Sequence, residues 1–212
     1  MELGMAAHAL TDAPVECFDS AGFAAELIQS RRTVLPKRLI APGPNAHQLQ
    51  LILEAAAAAP DHDQRVPWGF VLVRDTARHL LAQAFAEALH ERDPHATLQQ
   101  LAQAREKAFR APTLLLAFAR AGLPGDEVPL AERLVSAGCA IQNILLMATA
   151  LGFGSALTSG KALQSRPLRE LFSLDTGKQA LCFLSIGTVS QARPPVPRPS
   201  VQSYVRELGV QP

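Results

Sequence analysis

Aromatic residues are scarce in this chain: Phe, Tyr and Trp together make up 5% of 212 residues, with one Trp and one Tyr. A sequence-tolerant platform for single-stranded nucleic acid stacks bases on such rings, so that class is excluded. Net charge is equally scarce. Twenty basic residues against nineteen acidic ones leave +1 at pH 7, which creates no field strong enough to draw the protein to nucleic acid or an anionic membrane. The three cysteines, Cys17, Cys139 and Cys182, form no C-x-x-C pair, and none of the six histidines completes a zinc-ligand spacing, so no metal site is expected. An odd count without a framework predicts buried, inert thiols in a reducing, cytoplasmic compartment. The opening MELGMAAHAL has an early acid and no basic stretch, which is not the pattern of a signal peptide.

Several motifs are missing as well. There is no G-x-G-x-x-G after a strand pattern, no Walker loop, no G-x-S-x-G and no H-E-x-x-H. Standard nucleotide cradles, hydrolase triads and zinc-protease helices are thereby set aside. No acid–base pair stands out, so no catalytic side chain is nominated. An enzyme of this kind must borrow its chemistry from an organic cofactor.

What the chain does have is apolar mass. Hydrophobic residues make up 48% and charged ones 18%, which excludes a disordered chain. A single domain of this length buries about 70% of its unfolded surface and needs no staple. Residues 134 to 160 carry no charge, a length that could span a bilayer. Gln142, Asn143, Gly152 and Gly154 interrupt the run and no second one accompanies it, so it predicts a helix buried in protein rather than in a membrane.

Three segments follow from the patterning: an extension over 1–19, a domain over 20–192 and an extended tail over 193–212, whose RPPVPRPS cannot enter a sheet interior. Within the domain, Ser20 is expected to cap a helix through Ser30 with Phe23, Leu27 and Ile28 on one face. Pro36, Pro42 and Pro44 predict an extended connection. Asn45 and Gln48 have capping-box spacing and open a helix with Leu49, Ile52, Ala55, Ala56 and Ala59 inward, stopped by Pro60. Strands are predicted at 70–73, 113–118, 155–158 and 180–186, and helices at 76–91, 97–109, 130–151 and 166–172. Gly152 is the expected stop of the long helix. Helices and scattered strands without βαβ alternation argue for α+β.

Three constellations could carry chemistry. Arg31-Arg32-Thr33 offers two guanidiniums and a hydroxyl at a helix-to-loop junction, which suits a phosphate monoester; both arginines could equally complement the helix dipole. Ala59-Pro60-Asp61-His62 followed by Pro67-Trp68 places His62 in an exposed turn, or is simply a capped turn with Trp68 as a core anchor. Gly152-Phe153-Gly154 through Thr158-Ser159-Gly160 allows close backbone approach to a planar ligand, or is an ordinary helix stop before a strand.

Taken in order, these segments resemble the nitroreductase family of flavoproteins, in particular its small YdjA-like branch. The matching runs are RRT, RLIAPGPNAHQLQLIL, AAPDHDQRVPWGFVLV, FRAPTLLLAFA, SAGCAIQNILLMATALGFGSALTSG and the strand ending in Ile186-Gly187-Thr188, over roughly residues 22 to 207. The resemblance implies an α+β, nitroreductase-like fold, with a mostly antiparallel central sheet surrounded by helices in an intertwined homodimer. It implies FMN as cofactor and NADH or NADPH as co-substrate. Hydride would pass through the flavin to a small planar electrophile such as a nitroaromatic or quinone.

Carried over by residue, Arg31, Arg32 and Thr33 would hold the FMN phosphate. His62 would reach the flavin of the partner subunit. Thr158, Ser159 and Gly160 would line the isoalloxazine. The helix ending before Gly152, including Ile144, would build the dimer interface, and the tail would lie along the partner. Ala58 and Thr158 stand where that branch has arginine, and Val66 and Gly69 also depart from it. Those changes motivate a second reading, a flavin-binding buffer or sensor with little turnover. Arg65 and Arg198 are the candidate replacements for the lost cations. A third reading, an α-helical interaction protein without a ligand, rests on the long helix alone.

Overall fold

The longest strand, β5 (Lys178–Val189), organises the sheet in this computed structural model, which describes residues 19–122, 126–191, 194 and 196–209. The 1–19 extension, apart from Asp19, therefore lies outside the described residues, as does Cys17. Strand β5 pairs antiparallel with β1 (Leu39–Ile40), β3 (Thr113–Arg120) and β4 (Gly154–Thr158), and β3 pairs antiparallel with β2 (Trp68–Leu72). A parallel bridge from Thr33 to Ser155, with Val34 N–H donating to the Ser155 carbonyl at 2.9 Å, ties the segment after the first helix to β4.

Strand side chains alternate between faces, and both faces of this sheet are covered. On one face Leu115, Ala117, Leu184 and Ile186 meet α2 (Ala46–Glu54), the 3-10 turn Ala55–Ala58 that follows it and α5 (Leu130–Ala150) through Ile52, Ala56, Ala137, Ile141 and Ile144. On the other, Leu114, Leu116 and Phe183 meet α3 (Arg78–Arg92) and α6 (Arg166–Leu171) through Leu81, Ala84 and Leu168. The register slips between Ala117↔Cys182 and Phe118↔Ala180, leaving Leu181 as the extra residue of a β-bulge. The α+β expectation is met, with an antiparallel sheet between helices.

Local signals place most elements. The Asn45–Gln48 capping box forms reciprocally at 2.9 and 3.0 Å. Thr97 and Gln100 build a second one at the start of α4 (Leu98–Glu106). Gly152 ends α5 at φ +82°, a left-handed conformation that favours glycine. Two expectations need correction. Asp19 caps α1 (Ser20–Ser30), accepting from Gly22 N–H at 2.9 Å, because its carboxylate sits one residue earlier than Ser20. Pro36 opens a 3-10 turn, Pro36–Arg38, before β1, so the connection is not extended throughout.

Helix α5 is long and apolar enough to cross a membrane by length and composition. Here its inner face packs on the sheet, and Ile144 is 0% exposed within its own chain. That places Ile144 in the core and not at the dimer interface that the resemblance implies. The outer face is open: Ala131, Val135 and Gly138 are exposed, and Gln142 follows at helical spacing. Helix α1 buries no residue at all, with Phe23 53% and Ile28 56% exposed.

Cys182 is buried, and desolvation pushes its thiol from an ordinary 9.0 up to about 11, which makes it unreactive at neutral pH. Cys139 is half-buried and also unpaired. The described part of the tail runs exposed over 196–209, with one short turn at Val201–Ser203.

Candidate functional site

Arg31 and Arg32, adjacent in sequence, do different work. Arg32 Nη1 turns back on the end of α1, donating to the Gln29 carbonyl and, at 3.1 Å, to that of Arg31. It thereby satisfies carbonyls that a helix C-terminus leaves open. The Arg31 guanidinium donates to no acceptor among the described residues. Burial, followed by repulsion from Arg198 and Arg32, holds its pKa below the ordinary arginine value, and such a group favours an anion beside it.

The surrounding space is a cavity of about 530 Å³ lined, among the described residues, by the cations Arg31, Arg32, Arg38 and Arg198 and by no carboxylate. Thr33 lies at its wall, fixed by the bridge to Ser155. The tail reaches this cavity from the same chain, because Arg198 Nη2 donates to the Arg31 carbonyl at 2.7 Å. At Gly154 the backbone comes so close to Val189 and Leu39 that an added Cβ would stand 2.6 and 2.9 Å from their side chains. Only glycine lets β4 start there.

Thr158, Ser159 and Gly160 lie at the far end of β4 and line a second cavity of about 640 Å³. Four residue steps separate Gly154 from Thr158, about 13 Å at the rise of a strand. Leu35 lines both cavities. The apolar floor of the second includes Phe85 and Phe183, whose rings meet edge to face at 5.6 Å.

His62 lines neither cavity within its own chain. It sits in a turn where Asp63, Gln64 and Val66 all take positive φ, a strained arrangement for residues other than glycine. The Asp61 carboxylate holds the turn by accepting from Arg65 N–H at 3.1 Å and Val66 N–H at 2.8 Å. His62 Nδ1 and Glu132 Oε1 are 2.6 Å apart. That hydrogen bond, with the charges of Glu132 and Asp63, raises the imidazole pKa above 6.5.

A raised folded-state pKa stabilises the fold fully below the unfolded value and loses that contribution as pH climbs through the folded value. Glu132→Gln should therefore lower the His62 pKa measured by NMR titration. An unmoved titration would show that the pair does not form in solution. Arg65 is already engaged with Asp126 and Asp63, so of the two candidate replacement cations only Arg198 faces the arginine cavity. Trp68 is buried in the core, as the plainer reading of Pro67-Trp68 expected.

Arg38, Lys107 and Arg110 were not singled out by the sequence. Arg38 ends a 3-10 turn and carries no motif. Lys107 and Arg110 close a helical segment whose spacing only suggests a solvated face. Among the described residues no group of three or more His, Cys, Asp or Glu side chains could hold a metal ion.

A model of the nitroreductase family matches residues 28–188, about three-quarters of the chain, from α1 through β5. The chain belongs to the nitroreductase family. That makes it an oxidoreductase. It is 34% identical over 167 residues to an Escherichia coli K12 protein named "Putative NAD(P)H nitroreductase YdjA", covering 78% of this chain and 87% of that one. Among solved structures, a nitroreductase-like family protein from Bacillus cereus superposes with a TM-score of 0.73 at 20% identity, over 87% of this chain and 95% of that one. The NADPH:FMN oxidoreductase of Vibrio harveyi, complexed with NAD+, superposes with a TM-score of 0.67 at 21% identity, over 88% and 77%.

Proposed function

We propose that the protein is an NAD(P)H-dependent FMN oxidoreductase acting on small, planar, electron-poor acceptors such as nitroaromatics or quinones. The observation that carries this is the arginine cavity, which among the described residues is lined by four cations and no carboxylate, and whose Arg31 guanidinium is depressed by burial and then by its like-charged neighbours. A phosphate monoester, carrying about −1.5 to −2 at neutral pH, relieves that repulsion. Arg31, Arg38 and Arg198 would bind the FMN phosphate, Arg32 would keep the helix end in place, and the Thr33 hydroxyl would add a donor. FMN has its phosphate and its rings at opposite ends of a ribityl chain, which suits two cavities at opposite ends of β4. When bound, FMN supplies a centre that accepts hydride from NAD(P)H and passes it to the acceptor.

The chain's own residues then bind, orient and exclude water. Thr158, Ser159 and Gly160 would edge the ring system with small polar groups and an open backbone, and Phe85 and Phe183 would give the acceptor space an apolar floor. No side chain needs to act as acid or nucleophile.

The proposal includes a homodimer, because α1 and the outer stripe of α5 leave an apolar surface that a second copy can cover. His62, away from both cavities of its own chain, would reach the site of the partner, and the described tail beyond Arg198 would lie along the partner too. A reducing, cytoplasmic location is consistent with the unpaired Cys139 and Cys182.

The visible spectrum of the purified protein is the test. A flavin spectrum that bleaches anaerobically on addition of NADH or NADPH is expected. A colourless protein that takes up no FMN at saturation would overturn the proposal. Bound flavin that never bleaches would instead favour a flavin-holding buffer or sensor, the reading motivated by Ala58 and Thr158.

A further inference from the structure

Positive charge gathers at the second cavity without a counter-charge among the described residues of its lining. Arg92 at the end of α3, Lys107 and Arg110 after α4, and Lys161 after β4 all line it, and no Asp or Glu among the described residues does. Arg92, Lys107 and Lys161 make no ion pair among the described residues. Arg110 has one carboxylate near it, Glu106 at 3.4 Å, on an exposed side chain. Three separate elements thus bring cations to the rim of a space floored by Phe85, Leu114, Leu163 and Phe183. An apolar floor suits a planar ring, and a cationic rim suits a charge on that ring's edge.

We infer that this cavity selects acceptors that carry an anionic group, such as an aromatic carboxylate, over neutral acceptors of the same shape. The inference rests on the proposed function, which puts the cofactor phosphate in the arginine cavity and the flavin rings, with the acceptor beside them, in this one. Lys107 and Lys161 are the selecting residues. Both are exposed, so they steer and hold the anion through a partly screened field, and the preference should shrink as salt rises. The same anion chemistry could come from the 2′-phosphate of NADPH, and the experiment separates the two sources.

Calorimetric titration of the purified protein with 4-nitrobenzoate, set against 4-nitrobenzamide, reads the site directly and needs no turnover. Saturable binding that favours the carboxylate is expected, with the Lys107→Gln, Lys161→Gln double variant losing about tenfold in affinity for it, equivalent to 1.4 kcal/mol. Lys107→Arg should keep the preference. Equal binding of the two compounds, or an unmoved affinity in the double variant, would overturn the inference even if the protein proves to be an FMN enzyme. Conversely, carboxylate selectivity in a protein that binds no FMN would keep the anion site and sink the proposed function.

Steady-state kcat/KM for NADPH against NADH in the same variants supplies the second arm. A collapse of NADPH preference in the double variant, with its affinity for the carboxylate unchanged, would assign the cations to the dinucleotide and overturn the acceptor reading. Weaker FMN binding in the double variant would overturn it too, by assigning the lysines to the flavin.

Discussion

Arg31→Ala is expected to weaken FMN binding by about 1.5–3 kcal/mol, the range for hydrogen bonds to charged groups, or roughly 10- to 150-fold in Kd. The fold should barely notice the change. Arg31 closes α1 through its backbone, N–H to the Leu27 carbonyl at 3.3 Å, and alanine keeps that bond. Its side chain makes no hydrogen bond among the described residues and is repelled by Arg198 and Arg32. Losing it should leave the thermal stability of the flavin-free protein unchanged or slightly higher, because a cluster of like charges is relaxed.

The combination is diagnostic: an unchanged melting temperature without FMN and a smaller rise with it. Fluorescence titration of FMN supplies the affinity. Unaltered FMN affinity would remove Arg31 from the site and return the cluster to a purely structural role. Arg32→Ala should show the opposite emphasis, costing helix-end stability as well as affinity, because that side chain is spent on carbonyls.

Val135→Asp is expected to break the proposed dimer. Val135 is 65% exposed in the single chain, so aspartate there meets water and the monomer fold survives. In a two-fold interface the residue appears twice, and each copy buries an unpaired carboxylate. Together they cost at least about 4 kcal/mol, the scale of uncompensated buried charge, which is close to a thousandfold in the dimer dissociation constant. Sedimentation velocity should show half the mass, and bound FMN should be lost with it if each site draws on both chains. A Val135→Asp protein that stays dimeric would show that another face assembles the protein. A monomer with normal FMN affinity would contradict the shared site. Ile144 cannot serve for this test. It has no exposure within its own chain, and a charge there would unfold the monomer before it reported on assembly.

The contrast between these two positions shows why part of the molecule was legible from its sequence. Both residues lie on a helix that is apolar nearly all round. Periodicity identifies such a helix and its end at Gly152 but does not distinguish the side that meets the sheet from the side left open. Capping boxes at Asn45 and Thr97 depend on residues three apart, and the apolar runs of β3 and β5 on immediate neighbours, so those elements could be read locally. The ordered set of motifs pointed to the family for the same reason: each motif is a short local pattern whose spacing survives in the chain.

The arginine pair was half legible. Adjacent guanidiniums at a helix end admit both a phosphate role and a dipole role, and the folded chain divides the two roles between Arg32 and Arg31. The other members of the cluster, Arg38 and Arg198, come from a 3-10 turn and a tail that are far apart in sequence and are brought together by the pairing of β1 with β5, the Ser190 bonds to the Arg38 carbonyl and the Arg198 bond to Arg31. The cationic rim of the second cavity is more distant still, with contributions from α3, the end of α4 and the loop after β4.

By itself, then, the sequence determined the elements, the absence of familiar nucleotide and hydrolase motifs, and the near-zero net charge, since each depends on neighbours along the chain or on composition. Only the tertiary structure decided where charge is concentrated, because electrostatic fields add over distance in space rather than along the chain. Among its described residues, a chain that is almost neutral overall brings four arginines to one end of β4 and four more cations to the other, with no carboxylate lining either cavity.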